Sequence, residues 1–208
     1  MPKYLILIAI SISLVIAVPA FELSAKEWVI FDEQLLQAAQ TTGGIEVSKD
    51  NQFEGDACLK YTGGGLAWAG VNGLNFDLTG VVYDDAFLEF YAAARAGVTL
   101  EIRLLGPNGS PDMGSRVHPQ LTGTNYEQIR ISLRHFVDRG TAKIPKTLEA
   151  FTGGTNIVSQ FMIAATEGPV WIDNARISDT EEREEGRFVS PSGKLATSWA
   201  KLKSCLNI

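Results

Sequence analysis

The stretch VTLEIRLL, residues 98–105, alternates apolar and polar side chains over its first seven positions. Successive side chains of a β-strand point to opposite faces of a sheet, so this alternation predicts a strand with one buried face and one outer face. The side chains that the pattern places inside are Val98, Leu100, Ile102 and Leu104. Those that it places outside are Thr99, Glu101 and Arg103.

Similar short runs, separated by turns rich in Gly, Asn and Asp, extend from residue 28 to residue 177. Besides 98–105, the predicted strands are 28–32, 45–48, 57–61, 66–71, 74–78, 87–93, 127–133, 158–164 and 170–177. Helical periodicity is scarce, and only 134–138 and 146–151 are predicted as single helical turns. Strands without intervening helices pack most economically as two antiparallel sheets, so the sequence predicts an all-β sandwich.

Alternation along three further strands assigns side chains to the two faces. The side chains predicted to face the core are Leu88, Phe90, Ile129, Ile131, Leu133, Phe161 and Ile163. Those predicted to face outward are Glu89, Tyr91, Gln128, Arg130, Gln160 and Met162. The outer surface of the sandwich is therefore expected to be polar, with some aromatic rings.

The first residues predict export. One positive charge at Lys3 precedes an uncharged run over residues 4–18, which is the layout of a signal peptide. The run is shorter than the roughly 20 apolar residues that a membrane-spanning helix needs. An uncleaved anchor is the alternative, and Pro19 disfavours it because proline interrupts a helix.

Cleavage after small residues places the mature start near Phe21 or Lys26, so residues 1–25 are interpreted as the signal peptide. The protein is then expected to be secreted or to lie in the periplasm or cell envelope. Residues 26–178 have the length of one domain with a core of its own.

The composition changes sharply after the predicted sandwich. Residues 179–193 contain an acidic run followed by Ser, Pro and Gly, which predicts a solvated linker. Residues 194–208 place apolar side chains at helical spacing, which predicts a short amphipathic helix. The apolar side chains are Leu195, Trp199, Leu202 and Leu206. The helix either packs on the sandwich or docks on a partner.

The net charge of −6, from 24 acidic and 18 basic residues, argues against a surface for nucleic acid or an anionic membrane. Cys58 and Cys205 are the two cysteines. An exported protein permits a disulfide between them, but sequence does not show whether they approach to bonding distance.

No catalytic constellation emerges from the sequence. His118 and His135 lie neither at a metal-binding spacing nor beside a nucleophile motif. Glu89 and Glu101 are the one carboxylate pair considered for glycoside hydrolysis, and exposed glutamates on a sheet face are common without that role. The sequence therefore favours a binding protein over an enzyme.

The order of these motifs resembles the galactose-binding-like jelly rolls, a sandwich shared by many non-catalytic carbohydrate-binding modules. The resemblance covers residues 28–178. The motifs that resemble the family are VIFD at 29–32, FEGDACLK at 53–60, GLAWAGV at 65–71, LNFDL at 74–78, the strand from Tyr126 to Leu133 with Phe136, and VWIDNARI at 170–177.

The resemblance implies a structural calcium ion. In such modules an acidic residue that ends the first strand and the aspartate of the closing strand share calcium with oxygens of a following loop, a coordination that suits this ion. The matching residues are Asp32 and Asp173, with Asp50 as a further ligand and Glu33 as a weaker candidate. Alternatively, Asp32 and Asp173 cap strand ends or pair with Arg176.

The resemblance also implies a glycan, held by an aromatic platform and polar groups around it. The residues predicted to share this role on one face are Trp68, Tyr91, Arg103, Gln128, Arg130 and Gln160. Each has a structural alternative: Trp68 as a core residue, and the arginines in ion pairs with Glu101 and Glu89. The outer face lacks a row of rings, which favours a soluble glycan over a crystalline one.

Two functions remain at this point. The first is an exported carbohydrate-binding protein. The second is a structural or adhesive module of the cell envelope that binds a protein partner through the C-terminal helix.

Overall fold

The computed structural model describes residues 26–179 of the 208-residue chain. The predicted signal peptide, nearly all of the predicted linker and the predicted C-terminal helix lie outside the described residues. Within residues 26–179, no helix is long and apolar enough to cross a membrane.

The described chain folds into thirteen strands and one short helix. The strands are β1 (Glu27–Asp32), β2 (Gln34–Leu35), β3 (Gln40–Thr42), β4 (Ile45–Ser48), β5 (Cys58–Tyr61), β6 (Ala69–Asp77), β7 (Phe87–Ala94), β8 (Leu100–Leu105), β9 (Asp112–Ser115), β10 (Glu127–Ser132), β11 (Phe136–Asp138), β12 (Ile157–Ala165) and β13 (Val170–Ser178). The helix is α1 (Leu148–Thr152).

Two antiparallel sheets pack face to face, as predicted. The six-stranded sheet has the order β11-β9-β8-β12-β6-β3. The seven-stranded sheet has the order β10-β7-β13-β1-β2, and β5 with its partner β4 also joins β13. Strand β13 pairs with β5 through residues 170–172 and with β1 through residues 175–178, so the sheet divides at this strand.

The core lies between the sheets and includes the side chains that alternation placed inside. Phe90 of the seven-stranded sheet and Phe161 of the six-stranded sheet meet edge to face, with ring centroids 6.1 Å apart. At one end, Phe151 of α1 packs against Phe136 and Tyr83. The predicted inward side chains of the three face-assigned strands are all buried, which confirms the face assignment there.

Strand prediction was correct for the long apolar runs. The two runs predicted at 66–71 and 74–78 are joined in the single strand β6, which begins only at Ala69 and passes through Gly73 and Asn75 with positive φ angles of 80° and 50°. Strands β2, β3, β9 and β11 were not predicted. They are two to four residues long, and too short to display a period.

The two predicted helical turns are partly confirmed. Thr147 caps α1 by accepting a hydrogen bond from the backbone N–H of Ala150, and Gly153 ends it in the left-handed conformation. The segment 134–138 was expected to be one turn. It is instead the end of a short 3-10 turn at Leu133–His135, followed directly by β11.

Candidate functional site

One register row on the outer surface of the six-stranded sheet runs across five strands. Gly70 of β6 lies opposite Met162 of β12, Met162 opposite Arg103 of β8, Arg103 opposite Gly114 of β9, and Gly114 opposite Val137 of β11. Their neighbours along the strands point into the core, so this row faces outward. Gly114 leaves room over the sheet for the side chain of Arg139.

Trp68 precedes β6 and reaches this outer surface from the loop after β5. The hydroxyl of the buried Tyr61 donates a hydrogen bond of 2.6 Å to the carbonyl of Ala67, which anchors the residue before the tryptophan. On the other side, the turn at Gly43 packs so closely that a Cβ atom there would lie 2.8 Å from the carbonyl oxygen of Trp68. The backbone of Trp68 is therefore fixed from both sides.

The Trp68 ring packs against a guanidinium group. The Arg103 Cζ lies 3.6 Å from the ring centroid, a close cation–π contact. Asp112 of β9 holds this arginine with an ion pair of 3.3 Å. The Arg139 Cζ lies 6.0 Å from the same ring. Trp68 is half-buried on the outer face, so it is not a core residue.

Several polar atoms on this face have no partner within the protein. Asn72 Oδ1, Arg103 Nε and Asp112 Oδ1 are buried, and none forms a hydrogen bond within residues 26–179. Gln160 lies in the register row between Asn72 and Leu105, beside these groups. Buried polar groups are normally hydrogen-bonded, so these three atoms are exceptions, but as buried atoms they are not presented to a ligand at the surface. Gln160, by contrast, is half-buried.

A pocket of about 390 Å³ opens beside the Trp68 ring. Strands β8, β9 and β11 form its floor, and three basic side chains from the adjoining loops stand around it. The lining residues are Trp68, Glu101, Ile102, Gly114, Ser115, Arg116, His118, Val137 and Arg139. The surface as a whole joins an aromatic ring, a pocket and polar side chains, which is a suitable arrangement for a polar ligand with an apolar face.

The six residues predicted to share one face lie on both sheets, so that part of the prediction is wrong. Trp68, Arg103 and Gln160 come together on the six-stranded sheet. Tyr91, Gln128 and Arg130 lie on β7 and β10 of the seven-stranded sheet. Alternation identifies outward side chains within each strand, but it does not tell which sheet the strand joins.

The residues on the seven-stranded sheet have partners of their own. The Tyr91 ring stacks on Phe53, with centroids 3.9 Å apart and the planes inclined by 14°. Arg130 pairs with Glu89 at 2.8 Å, as the structural alternative expected. The guanidinium Cζ of Arg130 also lies 3.7 Å from the centroid of Phe87. Gln128 is exposed opposite Tyr91.

Asp173 lies where the seven-stranded sheet divides. Its carboxylate accepts backbone N–H bonds from Phe53 at 3.0 Å, Glu54 at 3.2 Å and Asn174 at 2.7 Å. Burial raises the pKa of Asp173 to about 6, although these hydrogen bonds lower it, and the charge of Asp32 raises it further. Asp173 therefore anchors the loop between β4 and β5 and lies close enough to Asp32 for their charges to interact.

Asp50 was predicted to bind calcium together with these two aspartates, but its side chain pairs elsewhere. It forms an ion pair of 3.0 Å with Lys60, which holds the pKa of Asp50 below its usual range. Its backbone carbonyl accepts a hydrogen bond from the thiol of the buried Cys58. Within residues 26–179, no three Asp, Glu, His or Cys side chains come together as a metal site. Cys205 lies outside the described residues.

The carboxylate pair considered for hydrolysis is separated by the fold. Glu89 lies on β7 of the seven-stranded sheet, whereas Glu101 lies on β8 of the other sheet and lines the pocket. Their side chains are on opposite outer faces of the sandwich, so they do not form a two-carboxylate site.

Sequence analysis missed several residues around the pocket. Asp112 and Gly114 belong to β9, whose sequence DMGS has no strand-like alternation. His118 was considered only for metal binding and catalysis and given no role, and Arg116 and Arg139 were not singled out. In the sequence, Arg116 and His118 are two basic residues close together in an acidic protein. Arg139 is distant from them in sequence, and only the fold brings it to the same pocket.

The same sandwich occurs in solved structures. A family 30 carbohydrate-binding module is similar over 82% of this chain and 96% of its own, with 14% identity and a TM-score of 0.54. A second family 30 module, from a cellulosomal cellulase of Clostridium thermocellum, is similar over 76% and 99% of the two chains, with 15% identity and a TM-score of 0.51. No protein-family model and no curated protein matches the chain.

These similarities confirm the predicted fold, a jelly-roll β-sandwich of the kind found in carbohydrate-binding modules. At this level of identity they concern the fold alone.

Replacing Arg103 with alanine should lower the free energy of unfolding by about 1–2 kcal/mol, because it removes the stacking on Trp68 and leaves Asp112 without its cation. Urea denaturation measures this loss. Arg116→Ala is the matched control and should change stability by less than about 0.5 kcal/mol, since that arginine is exposed. Equal effects of the two substitutions would contradict the role given to Arg103.

Proposed function

We propose that this chain is an exported, non-catalytic carbohydrate-binding protein that holds a glycan on the outer face of the six-stranded sheet. The observation that supports this most directly is the Trp68 ring on the outer face of the sheet, where it lines a pocket. A pyranose ring has apolar C–H faces and a rim of hydroxyl groups. An indole ring packs against the former, and paired donors and acceptors bind the latter.

The individual roles follow from the contacts. Trp68, fixed against Arg103, forms the platform together with that guanidinium group. Gln160, which is half-buried on this face, can both donate and accept hydrogen bonds with sugar hydroxyls, and Glu101 at the pocket can accept them. Since the ring is already held in place, little conformational entropy is lost when the ligand binds.

Tyr91, Gln128 and Arg130 are not part of the proposed surface, because they belong to the opposite sheet and Tyr91 and Arg130 are engaged with neighbours there. The similarity in fold to carbohydrate-binding modules supports the class of ligand, but it does not identify the sugar. The alternative of a protein partner bound through residues 194–208 falls outside the described residues.

Replacing Trp68 with alanine should weaken glycan binding at least about tenfold, which corresponds to about 1.4 kcal/mol, because the platform is lost. Affinity electrophoresis against a panel of soluble polysaccharides, followed by calorimetry on a bound one, measures the change. Circular dichroism must show that the variant is folded.

Trp171→Ala is the matched control. Trp171 is a half-buried tryptophan on β13 of the opposite sheet, and its neighbours Val170 and Ile172 are buried. This variant should bind as the parent does. Full binding by Trp68→Ala, or an equal loss in Trp171→Ala, would contradict the proposed site.

A structural calcium ion also belongs to the proposal, held by Asp32 and Asp173 but not by Asp50. The buried carboxylate of Asp173 beside Asp32 fits such an ion, because a cation would offset two neighbouring negative charges. Bound calcium would stabilise the junction of β13 with the loop that Asp173 holds.

Calcium at millimolar concentration should therefore raise the melting temperature of the protein by several degrees over the value in chelator, because a ligand that binds only the native state stabilises it. Differential scanning calorimetry measures the shift. Asp173→Asn should abolish it, whereas Asp50→Asn should retain it. If chelator left the melting temperature unchanged, the proposed calcium site would be wrong.

Export is proposed from residues 1–25 alone. Expression in an export-competent host should yield protein outside the cytoplasm whose first residue, determined by mass spectrometry, lies near Phe21 or Lys26. An intact N-terminus on cytoplasmic protein would show that these residues are not a cleaved signal.

A further inference from the structure

The pocket beside Trp68 differs in charge from the protein as a whole. The chain has a net charge of −6, yet the side chains around this pocket include Arg116, Arg139 and His118, with Glu101 as its single carboxylate. A local excess of positive charge on an acidic protein is unexpected for a site that serves only neutral ligands.

The neighbouring ion pair does not neutralise this excess. Asp112 is paired with Arg103 at 3.3 Å, so the charge of that arginine is already balanced. Neither Arg116 nor Arg139 forms an ion pair within residues 26–179. Two guanidinium groups at the pocket therefore remain without an anionic partner in the described part of the chain.

Arg139 is placed by the shape of the sheet. Gly114 has no side chain, and a Cβ atom there would lie 3.0 Å from Cδ of Arg139 and 3.2 Å from its Cγ. The stem of Arg139 thus lies across Gly114, with its guanidinium Cζ 6.0 Å from the Trp68 centroid. Burial lowers the pKa of Arg103, and the charge of Arg139 lowers it further, so the two cations act on each other.

We propose that the ligand is an anionic glycan, whose carboxylate or sulfate group binds Arg139 and Arg116 while a sugar ring packs on Trp68. This inference rests on the proposed function and adds the chemical class of the sugar. A guanidinium group binds carboxylates and sulfates through paired N–H donors, and a hexuronate or sulfated sugar presents such a group on the rim of a ring. His118 adds a further donor at the same pocket.

The test compares each polyanion with its own neutral form. The full-length mature protein is assayed by affinity electrophoresis and calorimetry against polygalacturonate and carboxyl-reduced polygalacturonate, and against carrageenan and desulfated carrageenan. Neutral β-glucan and xylan complete the panel. At least one anionic polymer should bind roughly tenfold or more tightly than its neutral form, and the two pairs distinguish carboxylate from sulfate.

Substitutions test whether the arginines at the pocket cause the tighter binding of the anionic polymer. Arg139→Gln and Arg116→Gln should each weaken binding of the anionic polymer several-fold and leave any binding of neutral polymers unchanged, because a charge-assisted bond is lost. Arg95→Gln is the matched control: Arg95 is an exposed arginine paired with Glu167 in the turn region between β7 and β8, and its loss should have no effect. An Arg95→Gln effect equal to that of Arg139→Gln would reveal general polyelectrolyte attraction and overturn the inference.

The remaining outcomes distinguish failure of the anionic-glycan inference from failure of the proposed function. If the neutral forms bind as tightly as the anionic ones and Trp68→Ala abolishes both, the protein binds carbohydrate but the anionic inference is wrong. If no polymer of the panel binds to the folded protein, the proposed function itself fails, and this inference fails with it.

Discussion

Burial of alternate side chains between the two sheets is the constraint on which the rest of the structure depends. Phe90 and Phe161 meet at the centre of the sandwich because their strands present every second residue inward. The same alternation commits the intervening residues to the outer faces, whatever their chemistry. Arg103 is therefore on the surface of the six-stranded sheet because Ile102 and Leu104 are in the core.

The outer faces of the two sheets differ in how far their side chains are engaged with one another. On the seven-stranded sheet, Glu89 is held between Arg130 at 2.8 Å and Arg176 at 3.3 Å, and Tyr91 is covered by Phe53. On the six-stranded sheet, Gly114 leaves space for the stem of Arg139, and a pocket opens beside the Trp68 ring. A surface whose charges are paired and whose rings are covered stabilises the fold, whereas a pocket lined by an aromatic ring and polar side chains is available to a ligand.

The fold was predictable from sequence only in those strands whose apolar and polar side chains alternate. Val98 to Leu105 and the closing strand around Ile172 were assigned correctly because apolar alternation is a local property. The pairing of Arg103 with Asp112 was not predictable, because DMGS shows no alternation and its pairing with β8 depends on long-range register. For the same reason, Tyr91 was grouped with Trp68 although the two lie on different sheets. Arg139 reaches the pocket only because Gly114 leaves room for it.

The central claim is that the ligand lies on the outer face of the six-stranded sheet, at Trp68. Amide and indole chemical shifts of the isotope-labelled protein, followed by NMR during titration with a bound oligosaccharide, test this claim most directly. The account predicts that the Trp68 indole N–H shifts together with backbone amides of β6, β8, β9 and β12, and that the opposite face stays unchanged. Shifts concentrated on β7 and β10, around Tyr91 and Gln128, would contradict it.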